Sequence, residues 1–146
     1  SDGDASGTSY VGFGGMLDVN AEGKVQLRAL VQQPYDESEN LTQVTQSAPM
    51  LMLNGKRTEF DANDKASPRS IVAIDKKGRL LFIASPGLAF TLDEMATLLE
   101  KSDLGLVTAL NLDGGSSTGL YVNAGNQKVT IDSYVNLPLV IVVKKK

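Results

Sequence analysis

A β-rich α+β domain with a mixed sheet and one main helix is the fold class this sequence predicts, and three observations carry the prediction. Short apolar or alternating runs recur along the chain between Gly, Asn and Asp turn pairs, which is strand spacing. Only residues 91–103 show the helical spacing of apolar side chains. That segment stands between two strand-like runs, so a strand-helix-strand crossover leads into residues 106–112, with parallel pairing expected across it.

Taken in order, residues 1–9 are small, polar and Gly-rich, and are expected to form a flexible arm ahead of one domain over 10–146. Residues 10–20 read as a strand bent or bulged at Gly14-Gly15, with a turn at 20–23. Residues 24–31 alternate Val25, Leu27, Ala29 and Val31 against Lys24, Gln26 and Arg28, a half-buried strand that closes a hairpin with the first. Residues 32–45 are polar and acidic, a surface loop leading into a short strand near Val44. Residues 48–53 form a strand stopped by the turn pair Asn54-Gly55.

Residues 59–68 form another loop. Asp61, Asn63 and Asp64 could be calcium ligands, but Lys65 and Ala66 stand where an EF-hand loop needs a ligand and a glycine, so a solvated loop is the better reading. Residues 68–75 and 79–85 make the clearest hairpin, turning at Lys76-Lys77-Gly78. Thr91 followed by Glu94 is a capping box, and Leu92, Met95, Ala96, Leu98 and Leu99 trace the apolar stripe of the helix. Residues 106–112 are almost continuously apolar, which predicts an internal strand with the helix packed on one face. Two further strands follow at 120–122 and 128–131, and a last one over 139–143 begins after Pro138.

Composition narrows the chemistry. With no cysteine and no histidine among 146 residues, the chain has no disulfide, no thiolate nucleophile, no Ser-His-Asp triad and no His- or Cys-ligated metal. Carboxylates become the default for acid-base or nucleophilic work, with neither cofactor nor metal expected. A formal net charge of −3 offers no basic field for nucleic acid, and no apolar stretch is long enough to span a bilayer. The chain carries no signal peptide and begins without methionine, as a processed or trimmed product would.

The stretch with the densest chemical character is Leu110-Asn111-Leu112-Asp113-Gly114-Gly115-Ser116-Ser117-Thr118-Gly119. An apolar strand stops at a carboxylate, two glycines free the backbone, and three hydroxyls follow, at the strand end where open α/β sheets bind ligands. The same dipeptides, Asp-Gly and Gly-Gly, also make ordinary tight turns. A hairpin from 106–112 back through 119–122 would use them without any chemistry.

The run from Ala109 to Ser117 resembles the signature of the phosphodiester glycosidase family. Gln46-Ser47-Ala48-Pro49-Met50-Leu51 with Gly55, and Pro68-Arg69-Ser70-Ile71, resemble two further segments of that family in the same order. The resemblance runs over about 10–143. It implies a hydrolase that cleaves the bond between a sugar C1 and a phosphodiester and releases free sugar. It also implies a glycan or small-molecule phosphodiester substrate, a link to exopolysaccharide metabolism, and an extracytoplasmic or secreted location. The alternative is a non-catalytic module that binds anionic or phosphorylated glycans.

Such a reaction needs a grip on the phosphate, stabilisation of a sugar cation and activation of water or a nucleophile. The resemblance makes Asp113 the carboxylate, as base, nucleophile or cation stabiliser. Asn111, alternating with Asp113, would hold a sugar hydroxyl or orient the carboxylate; a buried amide bonded to the turn is the other reading. Arg69 would clamp two phosphate oxygens, or else be an ordinary arginine at a strand start. Gly114, Gly115, Ser116, Ser117 and Thr118 would complete an oxyanion cradle for the substrate.

Two departures stand out. Ser116 occupies a position where family members often have a third glycine, and the strand motifs that usually precede this part of the domain are missing. An N-terminal segment or a second copy of the chain is therefore expected to complete the fold. Exposed apolar surface or a self-contact is expected near the 10–31 hairpin.

Overall fold

In a computed structural model of the protein, residues 12–60, 64–87 and 89–144 are described. The expected arm at 1–9, the first two residues of the first strand, and Asp61 and Asn63 lie outside these residues. The strands are β1 (Gly15–Asn20), β2 (Val25–Ala29), β3 (Leu41–Ser47), β4 (Met50–Leu53), β5 (Lys56–Arg57), β6 (Ser70–Asp75), β7 (Leu80–Ala84), β8 (Leu106–Asn111), β9 (Leu120–Ala124) and β10 (Gln127–Ile131). The helix α1 spans Leu92–Lys101.

The architecture is α+β, as the periodicities require, and it is layered. A five-stranded sheet ordered β5-β4-β8-β6-β7 forms the middle. On one of its faces lies α1, whose buried Met95, Ala96 and Leu99 meet Leu51, Met52, Ile71, Ala73, Leu106 and Ala109. On the other lies a three-stranded sheet ordered β2-β1-β3, whose Leu17, Leu27 and Ala29 meet Met50, Val72 and Leu110. β8 is the internal strand that its apolar run predicts. It hydrogen-bonds to β4 on one side and β6 on the other, and Leu110 is fully buried.

The helix begins where the sequence says it should. The Thr91 hydroxyl accepts the Glu94 N–H, and the Glu94 carboxylate accepts the Thr91 N–H, so two donors with no partner inside the helix are satisfied at once. The β6–β7 hairpin is fixed at its turn by Asp75. Its carboxylate accepts the backbone N–H groups of Lys77 and Arg79 and pairs with the Arg79 guanidinium at 2.6 Å. The Arg79 N–H, foremost among these contacts, holds the Asp75 carboxyl below the usual carboxylate range. A carboxyl with a depressed folded pKa contributes stability above its unfolded value, and that stability is lost as the pH falls through the folded one. Acid unfolding of Asp75→Asn is therefore expected to be shallower than that of the parent below the ordinary Asp range, with the parent the more stable at neutral pH. Melts at stepped pH check this.

Three expectations need correction. β8 makes no parallel pair: its pairings with β4 and β6 are both antiparallel. The reason is topological. β7 holds the outer edge, so α1 carries the chain across the sheet face to the far side of β6, and β7 and β8 share a direction without touching. Next, 41–47 is not a loop with a short strand near Val44 but a seven-residue strand paired with β1, because β1 supplies a neighbour that local propensity does not reveal. Lastly, 139–143 form no strand, and their side chains are exposed.

No helix among the described residues is long and apolar enough to cross a membrane.

Candidate active site

The turn after β8 is built by close backbone contact. Gly115 N–H donates to the Pro68 carbonyl at 2.8 Å, and Leu112 N–H donates to the Ser70 carbonyl at 2.8 Å, so the turn lies against the start of β6. Gly114 has to be glycine there, because a Cβ would stand 2.8 Å from the Pro68 carbonyl oxygen. Gly115 has φ +61°, in the left-handed region that disfavours other residues. A single 3-10 turn, Gly115–Ser117, follows, with Thr118 N–H bonded to the Gly115 carbonyl. The chain does not return along β8: β9 pairs with β10 alone. The hairpin reading of this turn is thereby removed.

The double glycine makes a testable demand. Gly114→Ala should push the turn off the 68–70 backbone and lower stability by about 1–3 kcal/mol, the usual range for an overpacked contact. A melting temperature equal to that of the parent would mean that the contact is not required.

Each residue singled out from the sequence has a definite place. Asp113 is exposed at the strand end, and its Oδ1 accepts the Gly114 N–H at 2.9 Å. Asn111 is buried; its Nδ2 donates to the Leu112 carbonyl at 2.8 Å and the Ala48 carbonyl at 3.4 Å, and its Oδ1 is buried with no hydrogen-bond partner. β8 ends at Asn111, so Asp113 lies two residues beyond the strand, and the two side chains differ in exposure. Thr118 is also buried, with its hydroxyl unpartnered. Ser116 is exposed and Ser117 half-buried, and the Ser116 carbonyl accepts the Tyr134 N–H at 2.9 Å, which ties the segment after β10 to the turn.

Two features differ from the arrangement that the resemblance implies. The Gly114 and Gly115 N–H groups are both engaged inside the chain, by Asp113 and Pro68, so the donors left to the turn include its hydroxyls rather than the two glycine amides. Arg69 is buried, and its guanidinium is heavily committed. Nε donates to the Phe90 carbonyl at 2.9 Å, while Nη2 donates to Asp64 at 2.6 Å and to the Lys65 carbonyl at 3.0 Å. The same Asp64 carboxylate accepts the Leu92 N–H at 2.6 Å, so Arg69 and Asp64 together pin the 64–69 segment to the first turn of α1. Asp64 is thus part of a brace rather than a residue of a solvated loop.

A second charged group was not legible as a site. Asp18 is 2% exposed on β1, with Arg28 Nε at 3.3 Å, and Arg28 Nη2 bonds Glu39 at 2.6 Å. Burial pushes the Asp18 carboxyl up, against the pull of Arg28. The signal in the sequence was a carboxylate inside the apolar run Met16-Leu17-Asp18-Val19 and an arginine on the neighbouring strand. Two shallow cavities, of about 290 and 310 Å³, open beside this three-stranded sheet and not at the turn after β8. No group of three or more acidic, His or Cys side chains among the described residues could hold a metal ion.

Comparison with known proteins bears on the whole chain. The structure is similar to the catalytic domain of zebrafish N-acetylglucosamine-1-phosphodiester alpha-N-acetylglucosaminidase, described as auto-inhibited by its pro-peptide. That match has a TM-score of 0.57 at 22% identity and covers 73% of this chain and 41% of that one, so it speaks to the fold. A hypothetical protein from Synechocystis matches at a TM-score of 0.43 and 23% identity, over 73% of this chain and 29% of that one. No curated protein matches the sequence. The sequence profile of the phosphodiester glycosidases, however, matches residues 6–143, and the chain belongs to that family.

Proposed function

We propose that the protein is a hydrolase that cleaves the bond between a sugar C1 and a phosphodiester, with the turn after β8 as its centre. The observation that carries the reading is Asp113: an exposed carboxylate at the end of the internal strand of a phosphodiester glycosidase domain, oriented by the Gly114 N–H. A phosphate leaving group departs readily near neutral pH, so one carboxylate could serve, either stabilising positive charge at C1 or activating the attacking group. The hydroxyls of Ser116 and Ser117 would meet phosphate oxygens. Thr118 and Asn111, each with a buried unpartnered oxygen, would fix the turn or receive a substrate donor. Arg69 acts in this reading through the position of Pro68 and the turn rather than as a direct clamp, since its Nε and Nη2 are already engaged.

The substrate class is a glycan or small-molecule phosphodiester, and an extracytoplasmic setting with a link to exopolysaccharides goes with it. The engagement of both glycine N–H groups favours a second reading, a non-catalytic module for anionic or phosphorylated glycans. The chain spans 41% of the length of the zebrafish domain, so turnover is expected to require further polypeptide, supplied by an N-terminal segment or a second copy. Incubation with UDP-N-acetylglucosamine, with free sugar followed by NMR, separates the two. Release of free sugar supports the hydrolase, and binding without release supports the module.

A further inference from the structure

Strand β1 carries a carboxylate that its surroundings leave short of partners. Asp18 is 2% exposed, and its Oδ2 is buried without a hydrogen bond. Arg28 Nε stands 3.3 Å away, but it too lacks a hydrogen-bond partner, and the guanidinium gives its Nη2 to Glu39 at 2.6 Å. Coulomb attraction to Arg28 is therefore all that offsets the cost of burying this oxygen, and a further donor would be stabilising. Burial pushes the Asp18 carboxyl up, as befits a charge with too few partners.

Asp18 lines a cavity of about 290 Å³ together with Asn20, Glu22, Gln26, Glu39 and Asn40. Strand pairing brings these residues together: Gln26 of β2 lies opposite Asp18, and Leu41 of β3 lies opposite Asn20, where the register of β1 and β3 shifts. Some of the polar groups are spoken for. Asn20 accepts the Lys24 N–H, and Glu39 accepts the Asp36 N–H as well as Arg28. The side chains of Glu22, Gln26 and Asn40 make no hydrogen bond or ion pair among the described residues. The second cavity beside this sheet has the opposite character, since Lys24 and Arg28 line it and no carboxylate does.

Three carboxylates against one arginine leave negative charge over in the first cavity, which selects a cation. Among the described residues no three acidic side chains converge closely enough for a metal ion, so the charge has to arrive on a group whose donors spread further. We propose that this cavity binds an organic cation through a primary ammonium group, with Asp18 and Glu22 as its counter-charges and the amides of Gln26 and Asn40 beside it. An ammonium brings three donors and no acceptor, which matches an orphaned carboxylate oxygen among amide oxygens. The site lies beside the three-stranded sheet and is independent of the reaction at the turn after β8, whose phosphodiester substrate is an anion that these carboxylates repel.

Two amines separate the sources of such a cation. Glucosamine, in its protonated form at mildly acidic pH, shares its ring with uncharged N-acetylglucosamine, and putrescine has ammonium groups without hydroxyls. Titrated into isotopically labelled protein at low salt, glucosamine or putrescine should shift the backbone amides of residues 18–26 and 39–41 saturably, and N-acetylglucosamine should not. Tighter binding of glucosamine assigns the cavity to an amino sugar, and tighter binding of putrescine assigns it to an alkyl polyamine. Asp18→Asn should weaken the binding about tenfold or more, as loss of a hydrogen bond to a charged group does. Glu22→Gln changes an exposed side chain, keeps the fold and should weaken binding about two- to fivefold, so the test stands even if melts show Asp18→Asn to be unfolded. Neither cation shifting these amides, N-acetylglucosamine binding as tightly as glucosamine, or a folded variant of either kind binding as tightly as the parent would each overturn the proposal.

Discussion

Replacing Asp113 by Asn should lower kcat for a sugar-1-phosphodiester by on the order of 10³-fold or more while leaving the protein folded. The asymmetry follows from what the side chain does. The Asn oxygen can still accept the Gly114 N–H, so the turn keeps its bond, and Asn tolerates the same backbone as Asp. What disappears is the negative charge, which is the part that stabilises a sugar cation or activates a nucleophile. KM should change far less than kcat, because a charge that acts on the reacting centre matters most in the transition state. If the side chain were only a turn residue, the variant would match its parent in both melting and turnover. Steady-state kinetics beside a thermal melt reads both quantities.

Arg69→Ala should act in the opposite way, through stability first. The guanidinium is buried and bonds three groups, the Phe90 carbonyl, the Lys65 carbonyl and the Asp64 carboxylate. Removing it strands two carbonyls and leaves a half-buried carboxylate with only the Leu92 N–H. Breaking such a pair costs about 3–5 kcal/mol when both ions are fully buried. Asp64 keeps some contact with water, so we expect about 2–4 kcal/mol here. Arg69→Lys should recover little of this, since one ammonium cannot reach the positions of both Nε and Nη2. Chemical denaturation measures the loss. A phosphate clamp with no structural duty would instead raise KM and leave the denaturation midpoint unmoved.

These two residues also mark where sequence reasoning reached and where it stopped. The capping box at Thr91 and Glu94, the β6–β7 hairpin and the internal position of β8 are local or periodic facts, and a single chain displays them directly. The double glycine before Ser116 was legible as a constrained turn for the same reason. Which donors remain free in that turn was not legible. Gly115 spends its N–H on Pro68, forty-seven residues away in sequence, and Arg69 bonds Phe90, twenty-one residues away.

Pairing partners are equally non-local. β3 looks polar and loop-like alone and becomes a strand only beside β1, whereas 139–143 looks like a strand and belongs to no sheet. The antiparallel setting of β8 depended on β7 already holding the outer edge. Val25, Val31 and Val44 are exposed around the first hairpin and β3.

The central claim is that the turn after β8 receives the substrate, and NMR of backbone amides tests it most directly. A sugar-1-phosphodiester titrated into isotopically labelled Asp113→Asn protein, in which turnover is suppressed, should shift the amides of residues 113–118 most, with smaller shifts at Pro68's neighbours Ser67 and Arg69. Shifts confined to the cavity beside Asp18, Glu22 and Glu39, or no shifts under conditions in which the parent protein hydrolyses the same compound, would contradict the account.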